Sequence, residues 1–238
     1  MYRTVLYQDP LALFAKVSHE PMSLLLDSAN SPSSSLYQNT NRYSYLCFDP
    51  VKVLLEHKDA PFNAMQELLE GLQAPKIADL PPFQGGLAGF LSYDLCSVLE
   101  NIPYEPSTAA FPLLALGLYD VVVSFDHQQK KAWIISHGTF ESDLVKRQSK
   151  AKERLAYVHK KLFDTAPVKV QENTWEKLPI TPAFSKKEYL EAIQQAKNYI
   201  LEGDIFEVNL TQHFDAQLPE GIKAFDLYCR LRKRNPAP

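Results

Sequence analysis

Four polar side chains near the end of the chain fall on one face of an alternating segment: Glu207, Asn209, Thr211 and His213. A carboxylate, an amide, a hydroxyl and an imidazole at period two on a strand project from the same side, the chain's best cluster for acid–base work. A lone imidazole beside one carboxylate is also what a solvated strand face presents, so the cluster alone assigns no catalytic residue. Other chemistries lack their motifs. There is no GxSxG elbow, no HExxH pair and no two carboxylates at catalytic spacing. Gly85, Gly86 and Gly89 invite a phosphate-loop reading. Two prolines stand before them where a strand should end, and no Lys-Ser/Thr pair closes the loop. These glycines are expected to mark a bulge or a close approach of two backbones. His127 and His137 have no third ligand nearby and are expected in a turn or at the surface. No catalytic or metal-ligating residue is assigned in this chain.

The alternating segment needs an element to carry it, and residues 185–203 supply one. Ser185 and Glu188 form a capping box, and Tyr189, Leu190, Ile193, Ala196, Ile200 and Leu201 recur at helical spacing. Gly203 can take the left-handed conformation that closes a helix. From Ile205 the period changes to two, with Phe206, Val208, Leu210, Gln212 and Phe214 opposite the polar face. The pattern predicts a half-buried strand over 205–214.

The 238 residues are 45% hydrophobic, enough for a sizeable core in one large domain or two smaller ones. The net charge of −3, with no basic patch, points away from nucleic acid. Cys47, Cys96 and Cys229 are odd in number and lack a CxxC pair, which fits a reducing compartment. No apolar run is long enough to span a bilayer, and the N-terminus has no signal-peptide core. The expectation is a soluble cytoplasmic protein with neither nucleic-acid nor membrane partners.

Taken in order, the pattern predicts a strand at 4–7, then a helix capped by Asp9 with Pro10 in its first turn. A buried strand at 22–26 ends in Asp27-Ser28, and a polar loop covers 30–41. Strands follow at 42–48 and 51–56, and a helix at 61–72. Residues 95–112 read as a helical turn and a Pro-rich loop. Strands are expected at 113–119, 121–125 and 131–136, with Asp120 between the first two. Residues 140–162 form a long charged helix. Its Lys146, Arg147, Lys150, Lys152 and Arg154 alternate with acids and are expected on a solvated face. A linker at 164–181 leads on, and a last helix covers 223–233.

Particular wordings carry a resemblance. EGDIFEVNLTQHF, LLLDSA followed by RYSYLCFDP, FQGGLAGFLSYD and the terminal NPAP are each similar to segments of the anthranilate synthase and aminodeoxychorismate synthase component I family. The resemblance covers the whole chain but only the front half of a family protein. It implies an α+β fold of largely antiparallel sheets packed with outer helices, with an N-terminal domain over 1–179 and the beginning of a chorismate-binding domain over 180–238. The chain is thus expected to be truncated and inactive alone. The magnesium of the intact enzyme would be held by glutamates not present here.

Within the family, Asn209 resembles the aminodeoxychorismate branch, since the anthranilate branch more often carries an aliphatic residue there. Glu207 departs from the Gln of many relatives. The partners implied are chorismate and a glutamine amidotransferase subunit, component II. The resemblance also implies a pocket for tryptophan lined by Ser28, Tyr43, Ser44, Tyr45, Leu46 and Pro238. There the serine hydroxyl would hold the amino-acid end, and the tyrosine rings with Leu46 would cover an indole. The alternatives are an anthranilate synthase component I fragment and a non-catalytic tryptophan-binding or scaffold module.

Overall fold

The computed structural model describes residues 1–29, 41–57, 62–70, 75–100, 111–138, 141–168, 170 and 177–237. Most of the expected loop at 30–41, most of the Pro-rich loop, much of the linker at 164–181, and Pro238 lie outside the described residues. The chain forms two compact units, Met1–Gln171 with Tyr228–Pro238, and Glu172–Leu227. A single cut at 179 therefore leaves out the return of the last residues to the first unit.

In the first unit, β1 (Tyr2–Val5), β2 (Leu24–Leu26), β3 (Tyr43–Cys47), β7 (Val121–Asp126) and β8 (Lys131–Ser136) form one antiparallel sheet in the order β1-β8-β7-β3-β2. A second antiparallel sheet has the order β4-β6-β5, from Lys52–Glu56, Leu114–Tyr119 and Gly86–Leu91. The chain crosses from one sheet to the other at Asp120. All six residues of β6 and all six of β7 are buried, which is why they read as continuous apolar runs rather than alternation.

On one face of the larger sheet, Leu46, Val121, Val123, Phe125 and Ile134 pack with Leu13, Val17, Leu155, Val158 and Leu162. The helical contributors come from α1 (Pro10–Phe14) with the turn after it, and from α4 (Leu144–Leu162). Asp9 caps α1 by accepting from the Leu11 amide. Ala151, Leu155, Val158 and Leu162 repeat at three- and four-residue intervals and give α4 one buried stripe. Each large apolar side chain so buried contributes about 1.5–3 kcal/mol. On the other face, Cys47 and Val122 pack with Ala88 and Tyr119 of the second sheet. Helices α2 (Phe62–Glu70) and α3 (Cys96–Leu99) complete the described part of this unit before residues 228–237 rejoin it.

One charged residue departs from expectation. Arg154 on α4 points inward rather than to solvent. Its Nε donates to Asp120 Oδ1 at 3.1 Å and its other nitrogens reach Asp49 Oδ2 at 2.5 Å and the Asp49 carbonyl at 2.7 Å. The Asp120 side chain is only 1% exposed, so it requires a cation, and α4 brings one.

The second unit holds α5 (Lys186–Glu202), whose capping box and left-handed Gly203 (φ 84°) match the sequence pattern. The strand predicted over 205–214 does not form. Only Phe214–Asp215 (β10) pairs, with Thr181–Pro182 (β9). A strand is stabilised by its neighbours, and among the described residues no strand pairs with 205–213. Phe206 is 89% exposed there. Helix α6 (Ala224–Arg234) begins in this unit and returns the chain to the first at Tyr228.

The glycine expectation holds at Gly89. Its φ is +154°, and a Cβ there would lie 2.0 Å from the Ala115 carbonyl oxygen on the paired strand. Gly203 has open space around it and is constrained by its φ of +84° alone. Gly89→Ala should therefore destabilise the chain by roughly 3 kcal/mol or more, and Gly203→Ala by only about 1 kcal/mol. Urea titrations compare the two, and equal midpoints would remove the close approach as the cause.

Candidate functional site

Strands β2 and β3 pair with Leu26 opposite Tyr45, so the residues just beyond, Asp27 and Ser28, come against Ser44 and Tyr43. The Ser28 amide donates to Ser44 Oγ at 2.9 Å, and the Ser28 hydroxyl donates to the Tyr43 carbonyl at 2.7 Å. That hydroxyl has its proton committed and offers only lone pairs to anything else.

Strand alternation then divides the expected pocket residues. Tyr43 and Tyr45 share one face, with ring centroids 6.3 Å apart. Tyr45 meets Phe83 edge to face at 5.6 Å, and the Arg42 guanidinium lies 4.8 Å from the centre of the Tyr43 ring. Burial is the main cause that pushes the Tyr45 phenol up to about 12. Ser44 and Leu46 point to the opposite face, and both are fully buried. Leu46 packs in the core with Val123, Phe125 and Ile134, so it does not join the tyrosine rings.

Arg42 also holds Asp126, with Nε at 3.0 Å and a terminal nitrogen at 2.8 Å from the same oxygen. The second oxygen accepts the Gln128 and Gln129 amides at 3.0 and 2.9 Å. Burial works to raise this carboxyl, but the Arg42 bond and the two amides outweigh it and hold it below its usual value.

The opposite face carries a polar core that the sequence reading missed. Asp27 accepts from the Tyr228 hydroxyl at 2.7 Å and is ion-paired with Arg232, both on α6. Ser44 Oγ lies 3.3 Å from Asp27 Oδ1 and 2.7 Å from His127 Nε2, and Tyr7 reaches His127 Nδ1 at 2.8 Å. His127 does occupy a turn, but at 9% exposure it is buried and not a surface residue. The Ala29 amide donates to the Ala237 carbonyl at 3.0 Å. The segment after Asp27 and the NPAP segment are thus adjacent in space. The usable signal for this core was Tyr228 and Arg232 four apart on one helix face, with a carboxylate closing an apolar strand.

The polar face of 207–213 gathers no partner chemistry of its own among the described residues. Its one ion pair, His213 Nε2 to Asp215 Oδ2 at 3.5 Å, has both side chains 76% exposed. Among the described residues no three His, Cys, Asp or Glu side chains come together around a cation. No helix among the described residues is long and apolar enough to cross a membrane.

The family of chorismate binding enzymes matches residues 25–238. Anthranilate synthase component 1 of Thermus thermophilus is 28% identical over 97% of this chain and 50% of its own length. Aminodeoxychorismate synthase component 1 of Bacillus subtilis is 27% identical over 83% of this chain and 44% of its own. The crystal structure of anthranilate synthase component I from Streptococcus pneumoniae TIGR4 shares the fold, with a TM-score of 0.61 at 20% identity over 98% of this chain and 53% of that one. The chain spans about half the length of the curated relatives it matches.

Asp27 joins the two ends of the site, and its ionisation has a definite sign. Burial alone would raise the carboxyl, but the bonds from Arg232, Tyr228 and Ser44 hold it below its ordinary 3.8. The stabilisation is present above the unfolded value and is lost as pH falls through the lower folded one. Asp27→Ala should cost about 3 kcal/mol at neutral pH, and Asp27→Ala with Arg232→Ala clearly less than the two single losses added. Additive losses in a denaturation cycle would show that the pair is not coupled.

Proposed function

Because the chain belongs to the family of chorismate-binding enzymes, we propose that it is the N-terminal part of an aminodeoxychorismate synthase component I. The whole enzyme would replace a hydroxyl of chorismate by ammonia delivered from a glutamine amidotransferase partner, on the way to para-aminobenzoate and folate. The observation that carries this reading is the family match over 25–238, within which Asn209 favours the aminodeoxychorismate branch. A second reading, anthranilate synthase component I, has its own support. The Thermus relative bears that name, as does an Arabidopsis alpha subunit 34% identical over 68% of this chain.

This chain's own share of the chemistry is binding rather than bond making. Ser28, with its proton held by the Tyr43 carbonyl, presents lone pairs suited to an ammonium group. Tyr43 and Tyr45 supply aromatic rings on the strand whose Tyr43 carbonyl takes that proton. An aromatic α-amino acid such as tryptophan matches that pairing of an acceptor with ring surface. Ser44 and Leu46 support the site from the core side of the strand.

Incubated with chorismate, ammonia and magnesium, the 238-residue chain alone should form no aminated product above a protein-free control. Mass spectrometry of the mixture checks this. Appearance of aminodeoxychorismate or anthranilate would overturn the reading of an inactive part and identify the branch. For the amino-acid site, Tyr45→Ala should weaken calorimetrically measured tryptophan binding by at least about tenfold, the loss of about 1.4 kcal/mol of ring contact. Unchanged affinity would remove Tyr45 from the site.

A further inference from the structure

Beside the end of β8 lies a cavity of about 220 Å³ whose lining shares no residue with the run Tyr43 to Leu46. Backbone bonds build its walls. The Ser136 amide donates to the Met1 carbonyl and the Met1 ammonium donates to the Ser136 carbonyl, each at 2.9 Å, so Met1 is seated against β8. Two residues on, Gly138 brings the chain against α4, and a Cβ there would lie 2.1 Å from the Arg147 carbonyl oxygen. Arg147 Nε then donates to the His137 carbonyl at 3.1 Å. The segment 75–77 is clamped by the Gln84 side chain, which accepts from the Ile77 amide and donates to the Ile77 carbonyl, both at 2.8 Å. The Gln84 carbonyl accepts from the His137 ring. Gln84 thus fixes both the imidazole and the 75–77 wall.

We propose that this cavity binds a small monocarboxylate with an apolar body, its carboxylate held by Arg147 and His137. The proposal does not depend on the amino-acid site at Tyr43 and Tyr45.

The charge at the cavity is of one sign. The Met1 ammonium and Arg147 both act on the half-buried His137 imidazole as cations, and no Asp or Glu is among the described residues that line the cavity. Burial first, then the ammonium and Arg147, push the imidazole below its ordinary range. Burial and Arg147 lower the ammonium in the same way. A cleft of one charge sign with low-dielectric walls draws in the opposite charge, and a guanidinium is matched to a carboxylate. The rest of the lining sets the body of the ligand. Pro75, Ile77, Leu144 and Ala151 are apolar, with Ala151 at 3% exposure inside and Leu144 at 72% at the mouth. Such walls gain by covering hydrocarbon and gain nothing from a bare ion. The volume lies below the roughly 300 Å³ at which sites for drug-sized ligands begin, so one ring or a short branched chain fills it. A bound carboxylate also relieves the repulsion among the cations. It therefore raises the pH at which His137 titrates, and by reciprocity it binds the imidazolium form more tightly.

The test is a benzoate titration of the full chain near neutral pH, read at the His137 imidazole by nuclear magnetic resonance. Its signals should shift saturably, and its titration should move to higher pH at saturation, while His159 near the other end of α4 stays unchanged. Benzyl alcohol has the ring without the charge, and inorganic phosphate has charge without the ring. Each should bind at least about tenfold more weakly than benzoate. Arg147→Gln should weaken benzoate at least about tenfold, and Arg147→Lys, which keeps the charge, should lose less. The proposal is overturned by the absence of a saturable shift at His137, by equal shifts at His159, by benzyl alcohol or phosphate binding as tightly as benzoate, or by unchanged affinity in Arg147→Gln. If that variant does not fold, the comparison of the three probes on the unmodified chain decides alone.

Discussion

Asp120 stands where the chain leaves one sheet and enters the other, between two strands whose residues are all buried. Its side chain is 1% exposed, and burial raises its carboxyl above the usual value despite Arg154 beside it. A buried carboxylate is tolerated only with a partner, and the partner comes from the middle of α4. That requirement fixes the rotation of α4 about its axis. With Arg154 directed at Asp120, the stripe of Ala151, Leu155, Val158 and Leu162 faces the larger sheet, and Arg154 reaches on to Asp49 after β3. One charge pair thus sets the crossing between the sheets, the seating of the long helix and the end of the strand that carries the candidate site.

The same logic recurs at Asp27. A carboxylate at the end of β2 is buried below the surface and gathers Arg232 and Tyr228 from a helix two hundred residues later in sequence. Between the two carboxylates runs the larger sheet, which gives β3 different surroundings on its two faces. On one face are tyrosine rings and Arg42; on the other are Ser44, Leu46 and the imidazole of His127. A site described only as the run Tyr43 to Leu46 mixes these two surfaces. The pleat separates them, and each has its own chemistry.

Much of the framework was readable from local pattern because local physics decides it. Asp9-Pro10, the Ser185–Glu188 capping box and Gly203 are satisfied by bonds within a few residues, and each appears where the pattern placed it. The apolar runs at 114–119 and 121–126 announce buried strands because burial on both faces removes any alternation. Residues 205–214 have as clear an alternation as any segment, yet 205–213 form no ladder. Alternation describes which side chains a strand would bury, but a strand exists only when a neighbour accepts its backbone bonds.

The amino-acid sequence by itself determined the class of fold, the family, the ends of the capped helices and the glycine that must approach a neighbouring backbone, because these depend on short-range sterics, capping and wording. The tertiary structure alone decided which polar residues are partners. Arg154 looked like one more charge on a solvated helix, and His127 like a turn residue. Arg154 is half-buried and His127 buried because distant carboxylates and hydroxyls need them: Asp120 across 34 positions, and Ser44 across 83. Contacts at that separation leave no periodic trace, since a carboxylate's partner is chosen by what the folded sheet brings within three ångströms and not by what stands beside it in the chain.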